Sequence, residues 1–292
     1  MKILITGAGG QLGQNLSKMC HASHEVFALD RQALDISDLQ DVERIIDEIR
    51  PTCVINAAAY TAVDRAETEP DLAMKVNRDG PENLAKVCAE LDIPFIHVST
   101  DYVFSGEKSS PYVETDEVKS INVYGESKRL GEEAVRASCP KHIILRVSWV
   151  FGFYGNNFVK TIQRLSRERH ELKVVDDQLG APTSTGNISR VLLRICEKSQ
   201  HPGFEAYGTY HYCDEPATNW FEFAEAIVEE TGQYEALAVK QIIPISTEQF
   251  PTPAKRQQNS RMDCNKLKIQ FGIEQYSWQT DLKKMIKDVH HS

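Results

Sequence analysis

Apolar positions in this chain come in short unbroken blocks, at 2–6 (KILIT), 25–29 (EVFAL), 53–57 (CVINA), 95–99 (FIHVS) and 143–148 (IILRVS). Between them lie longer stretches in which apolar residues recur every three or four positions. Continuous apolar runs of this length read as strands buried on both faces, and the recurring pattern reads as amphipathic helix. Residues 37–49 carry the helical pattern plainly. Leu39, Val42, Ile45, Ile46 and Ile49 make one stripe, and Ser37 with Gln40 has the spacing of a capping box. Strands alternating with helices predict a doubly wound α/β fold, a parallel sheet covered by helices on both faces.

The rhythm loosens after about residue 150. A helix near 157–169, a strand at 172–176 and a helix near 186–198 can still belong to the first unit. Residues 216–292 carry aromatics and two further helices, near 219–231 and 278–289, which suits a smaller lobe packed over the sheet edge. The expected organisation is a sheet domain at 1–150 with contributions from about 157–200, and a lobe made mainly by 201–292.

Composition narrows the class. With 292 residues, 41% hydrophobic and 26% charged, the chain is an ordinary globular protein, and no apolar run approaches a membrane span. The N-terminal apolar run is short and ends in glycines, so it reads as a strand feeding a turn rather than a signal peptide, and a cytoplasmic protein is expected. A net charge of −9 excludes broad nucleic-acid binding, whose footprint is basic. The seven cysteines form no C-x-x-C pair and read as core residues. Cys20, His21 and His24 have a faintly metal-like look, but no second ligand pair follows.

The first strand runs into TGAGGQLGQNL, with Gly7, Gly10 and Gly13 in G-x-x-G-x-x-G spacing. Glycines there permit a tight turn, close approach of backbone to a pyrophosphate and close packing of helix on strand. The helix starting near Gln11 points its free N–H groups at the phosphates. Asp30 ends the second strand about twenty residues on, where a carboxylate accepts from both ribose hydroxyls. Arg31 follows and can reach a 2′-phosphate, so NADH and NADPH both stay open. On these grounds 1–150 is the NAD(P)-binding domain and 201–292 mainly the substrate-binding lobe.

The stretch NVYGESK sets Tyr124 and Lys128 four positions apart, on one face of a helix. A phenol with a pKa near 10 must come down by about 3 pH units to donate usefully near neutrality, which is about 4 kcal/mol. A neighbouring ammonium in a partly dry cleft supplies energy of that order. Ser99 and Thr100 point to opposite faces of a strand, so only one of them can meet the same site.

Taken together, the glycine turn and Y-x-x-x-K resemble the extended short-chain dehydrogenase/reductase family, and NAAAY, VNRDGPENL and VSTDYVF agree with it. TAVDRAE, STDYVFSG, RVSWVFG, GNNF, DQLGAPT and FPTPAKRQQNSR narrow the likeness to the dTDP-4-dehydrorhamnose reductases within that family. The resemblance implies reduction of the C4 ketone of dTDP-4-dehydro-L-rhamnose by NADPH or NADH, in the dTDP-rhamnose route to cell-surface polysaccharide. It implies Tyr124 as proton donor, Lys128 as holder of the nicotinamide ribose and tuner of the phenol, and Thr100 as hydrogen-bond partner of the carbonyl. It adds Gln11, Leu12, Asp35, Ile36, Ala59, Tyr60, Thr61 and Val98 to the cofactor residues, and Asp101, Trp149, Asn156, Asn157, Arg256 and Arg261 to the substrate residues.

Related 4,6-dehydratases carry Glu directly after the Asp of S-T-D, where it removes a C5 proton. Tyr102 stands there in this chain, so plain reduction is the better reading. Some family members bind Mg2+ at a subunit interface, but no carboxylate cluster in this sequence maps onto such a site. A non-catalytic cofactor-binding regulatory subunit and a nucleotide-sugar C4 epimerase remain as alternatives. Monomer and homodimer both stay open.

Overall fold

The structure, a computed structural model, describes residues 1–21 and 23–290. Its strands of four or more residues are β1 (Lys2–Thr6), β2 (Glu25–Leu29), β3 (Cys53–Asn56), β4 (Phe95–Thr100), β5 (His142–Val147), β6 (Glu171–Val175), β7 (Gly208–Tyr212) and β8 (Gln241–Ile245). The main helices are α1 (Gln11–Cys20), α2 (Leu39–Ile49), α3 (Gly80–Glu90), α4 (Val123–Ser138), α5 (Phe158–Glu168), α6 (Thr185–Ser199), α7 (Trp220–Thr231), α8 (Asn265–Phe271) and α9 (Trp278–His290). Six strands form one sheet in the order β7-β5-β4-β3-β1-β2. Every pairing in it is parallel.

Each face of the sheet has its own apolar core. Ile3, Ile5 and Ile55 pack on Leu16 of α1 and on Ile188 and Leu192 of α6. Leu4, Val54 and Ile144 pack on Val42 and Ile46 of α2, Leu84 of α3 and Val135 of α4. This is the doubly wound α/β fold that the alternating blocks predict. The chain passes from β1 to β2 on one side and then returns to β3 on the other, so the order reverses at β1. A crevice opens above the carboxyl ends of the strands at such a reversal.

Two local details differ from the sequence reading. The N-cap of α2 is Asp38, whose Oδ1 accepts from the backbone N–H of Gln40 at 3.0 Å and of Asp41 at 3.4 Å. Ser37 instead donates its hydroxyl to Asp35 at 2.7 Å, so there is no Ser37–Gln40 capping box. Leu39 is exposed, and the buried stripe is Val42, Ile45, Ile46 and Ile49. Ser and Asp are comparable caps, and Asp38 takes the role here because Ser37 spends its hydroxyl on Asp35.

The lobe boundary also falls elsewhere. α5 and β6, which the sequence leaves with the first unit, join the lobe: Val159, Ile162 and Leu172 pack on Phe223 and Ile227 of α7 and on Trp278 and Leu282 of α9. β6 pairs with β8 in a separate parallel ribbon. Conversely, β7 and α8, which lie in the lobe by sequence position, belong to the sheet domain. β7 is its edge strand, and Leu267 and Phe271 of α8 sit in the sheet core. Short amphipathic segments carry no label for which layer they will cover, so the chain's crossings are invisible to periodicity.

All seven cysteines are buried and free. His24 faces Glu197 at 3.2 Å. Among the described residues no group of three or more His, Cys, Asp or Glu is arranged to hold a metal ion, and no helix is long and apolar enough to cross a membrane.

Candidate active site

The turn after β1 is tight in the way the glycines require. Gly7 has φ +74°, and a Cβ there would lie 2.5 Å from the backbone nitrogen of Ala58. A Cβ on Gly13 would lie 2.2 Å from the Gly7 carbonyl oxygen. Backbone surrounds both positions, so neither can take a side chain without moving a strand. The turn forms the floor of a cavity of about 420 Å3, walled by Asp30, Arg31, Asp35, Ile36, Ala59 and Tyr60. Asp30 uses Oδ1 to accept from the N–H groups of Gln32 and Ala33, at 2.9 and 3.1 Å. Asp35 accepts from both the hydroxyl and the N–H of Ser37, and the hydroxyl bond chiefly holds its carboxyl below the ordinary carboxylate range. Gln11 stands at the start of α1 and Leu12 turns its side chain into the core, so only the backbone of Leu12 is available to a ligand. Thr61 is exposed beside this cavity wall.

α4 supplies the second group. Asn122 caps it, accepting from the Gly125 N–H at 2.8 Å, while its amide nitrogen donates to the Lys255 carbonyl at 2.9 Å. The buried face of this charged-looking helix holds Tyr124, Lys128 and Glu132. The tight packing needs two glycines, because a Cβ on Gly125 would lie 2.1 Å from the Tyr102 carbonyl and one on Gly131 2.0 Å from that of Asn77. Glu132 and Arg146 form a buried two-point pair, at 2.8 and 2.6 Å, with Ser99 donating to the same carboxylate at 2.6 Å. Burial works to raise the Glu132 pKa, but these hydrogen bonds and the Arg146 charge outweigh it and hold the carboxyl below its ordinary value.

The Tyr124 ring packs edge-on against Tyr102, with centroids 5.3 Å apart. Its phenol neighbours the Thr100 hydroxyl, which donates to Asp101 Oδ1 at 2.9 Å. Asp101 is almost fully buried and its Oδ2 has no hydrogen-bond partner. Burial pushes this carboxyl up to about 6. Burial chiefly pushes the Tyr124 phenol above its ordinary value, the Thr100 hydrogen bond opposes the rise, and the charge of Asp101 adds to it. The Lys128 amine donates to the Val98 carbonyl at 2.8 Å and meets His97 Nε2 at 3.2 Å. Burial lowers the Lys128 pKa to about 8.

A second cavity of about 440 Å3 lies between this site and the lobe. Tyr102 and Arg256 line it from one side, and Trp220, Ile162, Arg169 and Lys173 from the other. Trp149 adopts φ +44°, a costly conformation for a bulky residue, and lies flat on Trp220 with centroids 3.6 Å apart. Arg256 pairs with Asp64 at 2.9 Å and reaches the cavity, whereas Arg261 does not. The Arg261 guanidinium is committed to Asn259 Oδ1 at 2.8 Å and to the Ser109 carbonyl at 2.5 Å. Asn157 serves as the N-cap of α5, accepting from the Lys160 N–H at 3.2 Å and donating to the Gly152 carbonyl at 2.7 Å, while Asn156 is exposed. Both polar ends of Asn157 are therefore occupied by the fold itself.

Residues 1–291 match the family model described as the RmlD substrate binding domain. The chain is 46% identical over 287 residues to a dTDP-4-dehydrorhamnose reductase of Aggregatibacter actinomycetemcomitans, covering 97% of this chain and 98% of that one. This chain belongs to the dTDP-4-dehydrorhamnose reductase family. Among solved structures it resembles the family member from Clostridium acetobutylicum at 41% identity and a TM-score of 0.92, covering 99% of both chains. It also resembles the Bacillus anthracis dTDP-4-dehydrorhamnose reductase in complex with NADP, at 36% identity and a TM-score of 0.91, covering 98% of this chain and 99% of that one.

The crevice fits the dinucleotide of this reductase family on its own evidence. Its floor is a turn that only glycine can make, its wall begins with the free N–H groups of α1, and an acidic and a basic side chain, Asp30 and Arg31, stand at its rim. Several residues that build the reductase site carry no signal in the sequence taken singly. Asn77 is fully buried and clamps both the N–H and the carbonyl of Tyr60 while donating to Ser127. Gln257 donates to the carbonyls of Asp101 and Phe104, at 2.8 Å each. Asn77 stands in VNRDGPENL and Gln257 in FPTPAKRQQNSR, so the segments were legible although these roles were not. Arg169 and Lys173 lie in stretches that read as an ordinary helix end and strand.

Proposed function

We propose that this chain reduces the C4 ketone of dTDP-4-dehydro-L-rhamnose to dTDP-L-rhamnose, using NADPH or NADH. The observation that supports the reading is the buried Tyr124 phenol hydrogen-bonded to Thr100, with Lys128 one turn along the same buried helix face, in a chain of this family. The backbone at Gly7, Gly10 and Gly13 and the N–H groups of Gln11 and Leu12 hold the pyrophosphate. Asp30 and Arg31 meet the adenosine ribose, with Asp35, Ile36, Ala59, Tyr60, Thr61 and Val98 lining the rest. When bound, the nicotinamide supplies the hydride that reduces the sugar's C4 carbon.

The residues of the chain then handle the proton and the orientation. Tyr124 gives its phenolic proton to the C4 oxygen as negative charge develops there. Thr100, with its own proton directed to Asp101, helps align the phenol. Trp149 and Asp101 border the sugar, and Arg256 with Arg169 and Lys173 meets the diphosphate, since a diphosphate needs guanidinium or ammonium donors in a chain of net charge −9. Asn156 is kept as a rim contact, whereas Asn157 and Arg261 support the site through the backbone they hold. Tyr102, standing where a dehydratase needs a carboxylate base, favours reduction over dehydration. We place the enzyme in the cytoplasm, as a monomer or homodimer, supplying rhamnose for a surface polysaccharide.

The test is net NADPH or NADH oxidation with dTDP-4-dehydro-L-rhamnose, followed by identification of the sugar product. Net oxidation with a C4-reduced product supports the reading. Turnover without net cofactor use would favour an epimerase, and cofactor binding without turnover a regulatory subunit. Tyr124→Phe is expected to lower kcat by about 10² to 10⁴ with cofactor binding intact. A variant retaining more than about a tenth of wild-type kcat would remove Tyr124 from the role of proton donor.

A further inference from the structure

Behind Lys128 a chain of buried polar groups runs into the sheet: Lys128, His97 of β4, Asn56 at the end of β3 and Thr6 at the end of β1, none more than about 1% exposed. The direction of each hydrogen bond in it is fixed from one end. Asn56 Oδ1 lies 3.0 Å from the backbone nitrogen of Ala58, and a backbone N–H can only donate, so that atom is the oxygen. The Thr6 hydroxyl donates to the same oxygen at 2.7 Å. The other end of the Asn56 amide is therefore its NH2, and it faces His97 Nδ1 at 3.0 Å. Nδ1 must accept. Burial chiefly, with the neighbouring Lys128 charge, drives the His97 pKa well below its ordinary value, so the ring is neutral and carries its one proton on Nε2.

Nε2 is the atom that meets Lys128, at 3.2 Å. An ammonium at Lys128 would set N–H against N–H in a dry interior, where opposed donors are costly. A neutral amine instead offers its lone pair to His97 while one of its own N–H groups goes to the Val98 carbonyl at 2.8 Å. We infer that Asn56 locks His97 in its Nε2–H tautomer, and that this imidazole N–H opposes protonation of the Lys128 amine in the cofactor-free protein. His97 is thus a positioning residue, acting on the proton inventory of Lys128 rather than on substrate.

The other charged groups around Lys128 do not cancel this effect. On its own helix it is flanked one turn away by Tyr124, which is neutral, and by Glu132, whose charge favours the ammonium. That carboxylate is already matched by Arg146 from β5 and by Arg136 at 3.1 Å. From β4 the only titratable group facing the amine among the described contacts is His97 itself. Under the proposed reading of Lys128, an anionic dinucleotide offsets this opposition and holds the proton on the amine one turn from the phenol. This last consequence rests on that reading, whereas the tautomer and the titration of Lys128 do not.

The cofactor-free protein, labelled with 15N at histidine and 13C at the lysine ε-carbon, tests the inference by NMR. The His97 resonances are assigned in the wild-type protein by triple-resonance correlation to the β4 backbone. The expected pattern is a protonated Nε2 and a bare Nδ1; a protonated Nδ1 overturns the lock. In His97→Gln the new amide can turn its oxygen to Lys128 without adding charge, so the Lys128 ε-carbon should titrate at least about one pH unit higher than in wild type. An unchanged midpoint overturns the claim that His97 opposes protonation. Should that variant not fold, the wild-type tautomer decides alone, and neither readout depends on catalytic turnover.

Discussion

The two cavities are of similar volume, about 420 and 440 Å3, yet they are built in opposite ways. The crevice over the glycine turn is walled largely by residues 7 to 76, with backbone forming much of its floor. The lobe cavity draws on residues from 64 to 256 and is lined mostly by side chains of α5, β6 and the loop around Arg256. Backbone walls cannot adapt, so the first cavity suits a fixed ligand held by a motif. Side-chain walls can repack, so the second can be retuned one residue at a time.

The largest predicted effect falls on the backbone-walled side. Gly13→Ala puts a Cβ against the Gly7 carbonyl with no flexible atom to yield, so it is expected to cost about 3 kcal/mol and to abolish NADPH binding. Urea unfolding and a fluorescence titration check it, and wild-type values in both would show that the crevice adapts after all.

Next comes Asp101, at the seam between the cavities. Burial raises its folded-state pKa to about 6, so the folded protein keeps a proton that the unfolded chain releases near pH 4. Stability therefore falls as pH rises from about 4 to about 6, and the full cost is present at pH 7. Asp101→Asn is predicted to stabilise the protein by about 2 kcal/mol at pH 7 and to lose that gain below about pH 4. Urea unfolding at the two pH values would expose a gain that does not depend on pH, which this account forbids.

On the side-chain-walled side the effects are smaller and separable. Arg256→Ala is predicted to raise KM for the nucleotide sugar about tenfold with kcat and NADPH affinity kept, because a remote anchor binds ground and transition states alike. Steady-state kinetics with each substrate varied would detect a kcat effect that contradicts this. Ile162→Val, deep in the same wall, is expected to cost only about 1 kcal/mol in urea unfolding and to leave NADPH binding unchanged.

The same contrast explains what was legible. The crevice was readable because a G-x-x-G-x-x-G turn, a following acidic residue and a strand-helix pattern are local, and local geometry forces the residue types. The pairing of Tyr124 with Lys128 was readable as one helix face, but what Lys128 touches was not. His97 sits in a strand that reads as core, and only the parallel pairing of β3 and β4 brings Asn56 beside it. Arg261 and Arg256 look alike in sequence; a hydrogen bond to Asn259 turns one away. Asn157 was named as a ligand residue by the resemblance at GNNF, although the helix expected near 157–169 already put it at a helix start, where an Asn serves as a cap.

The placement of β7 bears on how the molecule is made. β5 ends at Val147, but its outer neighbour, β7, does not begin until Gly208, after the chain has gone out to build α5 and β6 and come back through α6. During synthesis, then, some sixty residues must leave the ribosome before the sheet closes, and for that interval β5 presents an unsatisfied row of N–H and C=O groups flanked by apolar side chains. A stalled or truncated chain ending before Tyr212 would carry that open edge permanently. Expression of such fragments should give aggregates rather than a smaller soluble domain, and the protein's yield in cells should depend on chaperone capacity more than its finished stability would suggest.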